Sequence, residues 1–425
     1  MSRLFAPDRS YAVTLDAADP LAHYRAQFVI ADDNLVYLDG NSLGRLPLAT
    51  REPLRRAVDD EWGELLIRGW GTGWYEAPAR VGDAIGGLIG AAPGQVLLCD
   101  STSVNLYKLA MAALAARPGR TTIVSDRLNF PSDLYILQGC IEQLGGRHTL
   151  RLVESGDGEI TVDEDTLLAM IDETTALVSL SHVTFKSGFI YDLAKIAARA
   201  HEVGALVLWD LSHSAGAVPV ELDAWGADLA VGCCYKYLNG GPGAPAYLYV
   251  RAELQEQLRS PIWGWFGQRA PFAFDLAYAP GPGIARFLAG TPPMLAVAAV
   301  EPAIAQLNHV GIDAIRAKSV ALTEYLIALY DVRLAELGFT LGSPRDAARR
   351  GSHISIRHPH GYQINRALIA ELGVLPDFRE PDNLRLGLSP LTTAFAEVWD
   401  GVDRIAAAVR DGRYRGYSAD RSAVT

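Results

Sequence analysis

No apolar run in these 425 residues approaches the length needed to cross a bilayer, so no membrane span is expected. Cysteine is scarce. There are four, Cys99, Cys140, Cys233 and Cys234, and none sits in a C-x-x-C spacing, so neither a disulfide framework nor a cysteine metal site is expected. Cys233 and Cys234 fall on an expected strand, which would turn their side chains to opposite faces. An excess of basic charge is also missing. Lys and Arg total 38 against 49 Asp and Glu, a net charge of −11. That argues against a sequence-independent grip on nucleic acid and leaves room for a local pocket that holds one phosphate. The opening MSRLFAPDRSY has no apolar core and carries an acid, unlike a signal peptide, and a cytoplasmic location is expected. Internal repeats and low-complexity linkers are lacking.

What is present suits a globular enzyme: 49% hydrophobic and 20% charged residues. The length fits a large domain with a smaller one. Short apolar runs alternate with amphipathic stretches through the middle of the chain. Candidate strands are 95–99, 121–125, 176–183, 205–210, 228–234 and 246–250, with helical patterns at 103–116, 133–144 and 192–203. Nearly continuous apolar strands separated by helices predict an α/β fold with a mainly parallel sheet covered on both faces. After Pro292–Pro293 the pattern turns helical to about residue 338, then mixed, with strand candidates at 353–358 and 384–389. We expect a large domain over 67–305. A smaller α+β domain is expected from 306–425 packed with 1–66, a segment with no sheet pattern of its own.

Ligands of open α/β sheets sit beyond the carboxyl ends of the strands. ALVLWD ends on Asp210. DLAVGCCYKYLNGGPG brings Tyr235 and Lys236 to the end of a later strand, followed by a glycine cluster. Thr102 and Ser103 lie between a strand and a helix, where hydroxyls and free N–H groups make an anion site. Phe130, Pro131, Ser132 and Asp133 open another helix, with proline suited to its first turn. Taken singly, each reads equally well as a solvated strand end or an ordinary helix cap. Together they match pyridoxal phosphate (PLP), which needs a lysine amine, a carboxylate on its ring nitrogen, a phosphate cup and an aromatic face.

The strings YLDGNSLGRLP, DSTSVNL, FPSD, WDLSHSAGA, YKYLNGGPG, GWFGQ, FLAGTPPML and DNLRLGLSPL closely resemble kynureninases. Some are shared in looser form with class V aminotransferases and cysteine desulfurases. FPSD, GWFG and the TPP string are more specific to kynureninases. The resemblance implies PLP fold type I with a seven-stranded-type sheet, a homodimer with shared active sites, and hydrolysis of L-kynurenine to anthranilate and L-alanine. It implies a place in tryptophan catabolism and the kynurenine route to NAD biosynthesis. It implies that Lys236 carries the cofactor, that Asp210 meets the pyridine nitrogen with His213 close by, and that Phe130 stacks on the ring. Asp133 would bond near the ring hydroxyl or its lysine linkage. Thr102, Ser103 and Tyr235 would hold phosphate, with Ser181 nearby, and Tyr235 would also deliver a proton. Trp265 and Thr291 would reach the phosphate site from the neighbouring subunit. Arg385 would bind the substrate α-carboxylate through its guanidinium fork, with Ser42 and Trp70 lining the pocket. Trp70 and Thr291 stand where 3-hydroxykynurenine-preferring relatives tend to carry His and Asn, so the hydroxylated compound is expected to be the poorer substrate. The rival readings are another class V enzyme, an aminotransferase or a desulfurase, and a non-catalytic protein of the PLP fold. A desulfurase needs a cysteine in a mobile glycine-rich loop, and none of the four lies in one.

Overall fold

The computed structural model describes residues 8–420. A seven-stranded sheet forms its centre, in the order Val96–Leu98, Tyr247–Val250, Leu229–Gly232, Leu206–Asp210, Thr175–Ser181, Thr122–Asp126, Thr149–Val153. Tyr247–Val250 runs antiparallel to both of its neighbours and every other pairing is parallel. Leu206–Asp210 and Leu229–Gly232 are buried at every position, because helices cover both faces and no polar alternation is needed. The helix Leu193–Val203 shows how local chemistry sets its ends. Asp192 accepts a hydrogen bond from the Lys195 N–H at 3.0 Å, and Gly204 closes the helix at φ 79°, a left-handed conformation that suits glycine.

Two differences from expectation stand out. Thr149–Val153 joins the sheet at its edge although its polar Thr149 and Arg151 hide the strand pattern. The strand expected over 228–234 ends at Gly232. The Cys233 N–H turns to Ser212 Oγ at 3.2 Å, and the carbonyls of Cys234 and Tyr235 accept from the N–H groups of Gly240 and Gly44 at 2.8 Å each. Cys233, Cys234, Tyr235 and Lys236 therefore lie on a loop fastened to other loops.

The last third of the chain contributes the helices Met294–Val310 and Ile312–Arg333. A four-stranded antiparallel sheet follows, ordered Asp377–Arg379, Asn383–Gly387, His353–Arg357, Thr340–Leu341. Its core gathers Leu322, Ile354, Leu384 and Val402 together with Ala12, Val36 and Leu38 from the start of the chain. Val36–Tyr37 also pairs in parallel with Val374–Leu375. Beyond that pair the N-terminal segment crosses to the large sheet's lysine loop. A Cβ on Gly44 would stand 2.2 Å from Asn239 Oδ1 and 2.4 Å from the Lys236 carbonyl. Only glycine permits that approach.

Candidate active site

The carboxyl ends of three adjacent parallel strands define the site. Ser181 and Asp210 pair in register, and Asp210 pairs with Val231. Asp210 is buried and accepts from the Ser212 N–H at 2.7 Å. Beside it lies Asp133, in the first turn of the helix Pro131–Gln143 and also buried. Burial, then the neighbouring Asp210, pushes the Asp133 carboxyl well above the usual carboxylate range, with Lys236 opposing the shift. Its Oδ2 has no hydrogen-bond partner. Two buried carboxyl groups side by side, one with an orphaned oxygen, are a cost unless a cationic or donor group meets them.

Lys236 reaches into the same space. Its Nζ lies 3.0 Å from His213 Nε2, 5.8 Å from the centre of the Phe130 ring and 6.0 Å from that of Tyr235. Burial, then the neighbouring Lys236, holds His213 well below the usual histidine range, so the imidazole is neutral and Nε2 can accept from the amine. Burial, then Cys233, keeps the Tyr235 hydroxyl protonated. Phe130 is 38% exposed and offers a free face, while its edge-on contact with Phe185 at 5.3 Å fixes the ring.

Two helix starts adjoin this cluster. Ser101 caps the helix Thr102–Ala115, and Ser103 Oγ lies 3.1 Å from Ser132 Oγ in the first turn after Pro131. Two helix N-termini therefore open side by side. Ser181 plays a different part locally. Its hydroxyl lies 2.8 Å from Asn129 Oδ1, which also accepts the Phe130 N–H at 2.8 Å. Asn129 in turn donates to Ser125 Oγ at 3.0 Å. The Ser181 hydroxyl thus orients the turn that carries Phe130.

Across the cleft stands Arg385, 2% exposed. Its Nη1 donates to the Phe185 carbonyl at 2.7 Å, and its Nη2 donates to Ser42 Oγ at 2.7 Å and pairs with Asp377. Asp377 also pairs with Arg379 at 2.9 Å. Burial, then Asp377, pushes Asp39 up to about 6. The expected free guanidinium fork is therefore committed inside the protein, and Nε is the one nitrogen left without a partner. Asp377, Asp39, Phe185, Asn129 and His353 are parts of this neighbourhood that the sequence reading did not single out. Asp39 stood inside the YLDGNSLG string, and the others carried no local signal.

Trp70, Trp265 and Thr291 lie apart. The Trp70 ring meets Trp74 at 5.6 Å, Phe266 at 5.6 Å and Trp265 at 6.2 Å, and Thr291 is exposed. Among the described residues, no hydrogen bond or ring contact links these three to Lys236, Phe130 or Arg385 within the chain. A group of ligating side chains able to hold a metal is also lacking among the described residues.

The fold is that of known PLP-dependent proteins. A cysteine desulfurase from Thermococcus onnurineus NA1 superposes with a TM-score of 0.79 at 19% identity, covering 92% of this chain and 98% of that one. A C-DES mutant with glycine covalently linked to its PLP cofactor superposes with a TM-score of 0.78 at 18% identity, covering 90% and 98%. Sequence similarity goes further. The family model of the kynureninase C-terminal domain matches residues 315–405. The kynureninase of Burkholderia pseudomallei (strain 1106a) is 45% identical over 423 residues, 98% of this chain and 99% of the relative. That of Pseudomonas fluorescens is 44% identical over 399 residues, 93% and 94% of the two chains. With identity at this level over nearly the whole chain, the chain belongs to the kynureninase family.

Proposed function

We infer that the Lys236 cluster and Arg385 together carry out the family's reaction. The protein is a PLP-dependent hydrolase that cleaves the β–γ carbon bond of L-kynurenine, with water, to anthranilate and L-alanine. The observation that carries the residue-level reading is the placing of Lys236 Nζ against neutral His213, under a free Phe130 face and beside the Asp133–Asp210 pair.

These residues fit the cofactor. The orphaned Asp133 oxygen and its acidic neighbour call for a cationic or donor group, which a protonated pyridine ring with its hydroxyl provides. Asp210 would face the ring nitrogen, Phe130 its plane, His213 and Asp133 its polar edge, and Thr102, Ser103, Ser132 and Tyr235 its phosphate. Bound there, PLP supplies an electron sink that labilises first the Cα–H bond and then the Cβ–Cγ bond of the amino acid.

The chain's own groups supply the rest. Lys236 would hold the cofactor, and its amine, once free, would take the Cα proton. His213 accepts a hydrogen bond from that amine and stays neutral in doing so. Water adds its oxygen to the γ-carbonyl carbon and leaves with the aryl group as the new carboxyl. Tyr235, kept protonated by burial, supplies a proton to the β-carbon left behind. Arg385 holds the α-carboxylate, with Ser42 beside it.

The finer features follow the same reading. Large apolar side chains lie exposed, among them Trp62, Ile67, Phe274 and Leu276. With no hydrogen bond or ring contact from Trp265 or Thr291 to this chain's Lys236, Phe130 or Arg385 among the described residues, they support a homodimer in which those two residues complete the partner's phosphate site. A cytoplasmic location is supported by four free, buried cysteines; no single helix is long and apolar enough to cross a membrane. The division into 67–305 and 1–66 with 306–425 is supported by the separate core around Leu322, Ile354 and Leu384, while Leu21, Tyr24, Phe28, Ile315 and Leu391 pack with the large sheet's core. A desulfurase is not favoured, since every cysteine is buried.

Incubating PLP-loaded protein with L-kynurenine tests the reaction. Fluorescent anthranilate and one equivalent of L-alanine should appear together. Transamination products or no turnover would overturn it.

A further inference from the structure

His353 opens the strand His353–Arg357 and is fully buried, yet neither ring nitrogen has a hydrogen-bond partner. The Phe185 carbonyl, which accepts from Arg385 Nη1, lies near enough to the ring to favour a proton on it but falls outside hydrogen-bond geometry. A buried imidazole normally satisfies both nitrogens, so this one is set to meet something that is not part of the chain.

The sheet register says what stands next to it. His353 lies opposite Gly387, and Ser355 lies opposite Arg385. His353 and Arg385 are thus diagonal neighbours on one face of the antiparallel pair, within reach of a common ligand. On its other side the His353 ring meets His213 at 5.4 Å, and His213 touches Lys236. His353 therefore bridges the guanidinium and the lysine. Burial, then Arg385, then Lys236, holds it neutral, so it presents one N–H donor and one acceptor. The loop that includes Gly188 packs against it, where a Cβ would come within 3.3 Å of Nε2.

Arg385 makes the vacancy specific. Its Nη atoms serve Phe185, Ser42 and Asp377, and its buried Nε alone is unused. A carboxylate has two oxygens and is held firmly by two donors. One buried donor is spare on Arg385 and one on His353, on the same face.

We propose that His353 donates the second hydrogen bond to the substrate's α-carboxylate, paired with Arg385 Nε, and so sets the preference for an α-amino acid over a plain amine. This rests on the assignment of Arg385 made above. It makes His353 a substrate-binding residue of the same site.

The test is a spectral titration of the PLP-loaded protein with L-alanine and, separately, with ethylamine, which has the amine and lacks the carboxylate. The readout is the ratio of the two dissociation constants. In His353→Leu the preference for L-alanine should fall by about tenfold or more, the change expected from losing one hydrogen bond to a charged group. His353→Asn, which keeps an N–H, should recover part of it. His353→Phe serves in the same comparison if the leucine variant loses the cofactor. A ratio unchanged from wild type, including the case where both ligands weaken equally, overturns the proposal. Failure of the reaction assignment looks different: wild-type protein would not release anthranilate, whatever its preference between the two ligands.

Discussion

Arg385→Leu removes the side chain on which the proposed substrate anchoring depends. Arg385 is buried and makes three internal contacts, with Phe185, Ser42 and Asp377. Its removal would leave Asp377 as a buried carboxylate, which without compensation costs about 3–5 kcal/mol. Arg379, 2.9 Å from Asp377, remains as a counter-charge, so folding should be weakened rather than abolished. The substrate side has no such reserve. Losing a buried hydrogen-bonded charge pair costs roughly 2–5 kcal/mol, or about 30-fold or more in kcat/KM. Arg385→Lys should fall between leucine and wild type, because one ammonium cannot serve Phe185, Ser42, Asp377 and a ligand together. The assay is anthranilate release from L-kynurenine, with cofactor absorbance measured on the same sample. Leucine protein that keeps its cofactor and a kcat/KM within about threefold of wild type would refute the reasoning.

Further outcomes follow from the same geometry. Asp126 is buried, accepts the Tyr191 hydroxyl at 2.9 Å, and is pushed by burial up to about 6 from 3.8. Its raised folded value contributes stability that is complete below pH 3.8 and lost as the pH rises through about 6. Asp126→Asn should therefore gain on wild type in that window, by up to about 3 kcal/mol, read as a Tm difference that widens from pH 4 to pH 7; a constant difference would contradict it. Trp70 packs on Trp265 and would enter the partner's pocket with it, where an indole cannot accept a hydrogen bond; L-kynurenine should therefore give a higher kcat/KM than 3-hydroxykynurenine on one preparation, and equal values would remove the basis for that role. Phe274→Asp, at a side chain 74% exposed, should shift the mass in solution from dimer towards monomer and lower activity with it, and an unchanged mass would separate that patch from assembly.

Much of the proposed cofactor cluster was legible because it is local in sequence. Asp210 and Lys236 each follow an apolar strand, and Thr102, Ser103 and the FPSD turn each open a helix, so strand-end and cap chemistry marks them. The helix patterns at 103–116 and 133–144 correspond to Thr102–Ala115 and Pro131–Gln143. The strand Thr149–Val153 escaped because an edge position tolerates Arg151, which breaks the apolar run. The residues around Arg385 were hidden for a different reason. Asp377 meets Arg385, and His353 comes to lie diagonal to it, only through antiparallel register, and Phe185 meets it through a loop from the large sheet. Nothing in their own segments announces those contacts. The commitment of Arg385 to Asp377 likewise depends on strand pairing across a tight connection.

Treating the PLP-loaded protein with borohydride, digesting it and mapping the pyridoxyl label by mass spectrometry tests the assignment of Lys236 directly. The label should fall on Lys236 alone and vanish in Lys236→Ala; a label on any other lysine, or an unmodified Lys236 in a yellow, active sample, would contradict the account.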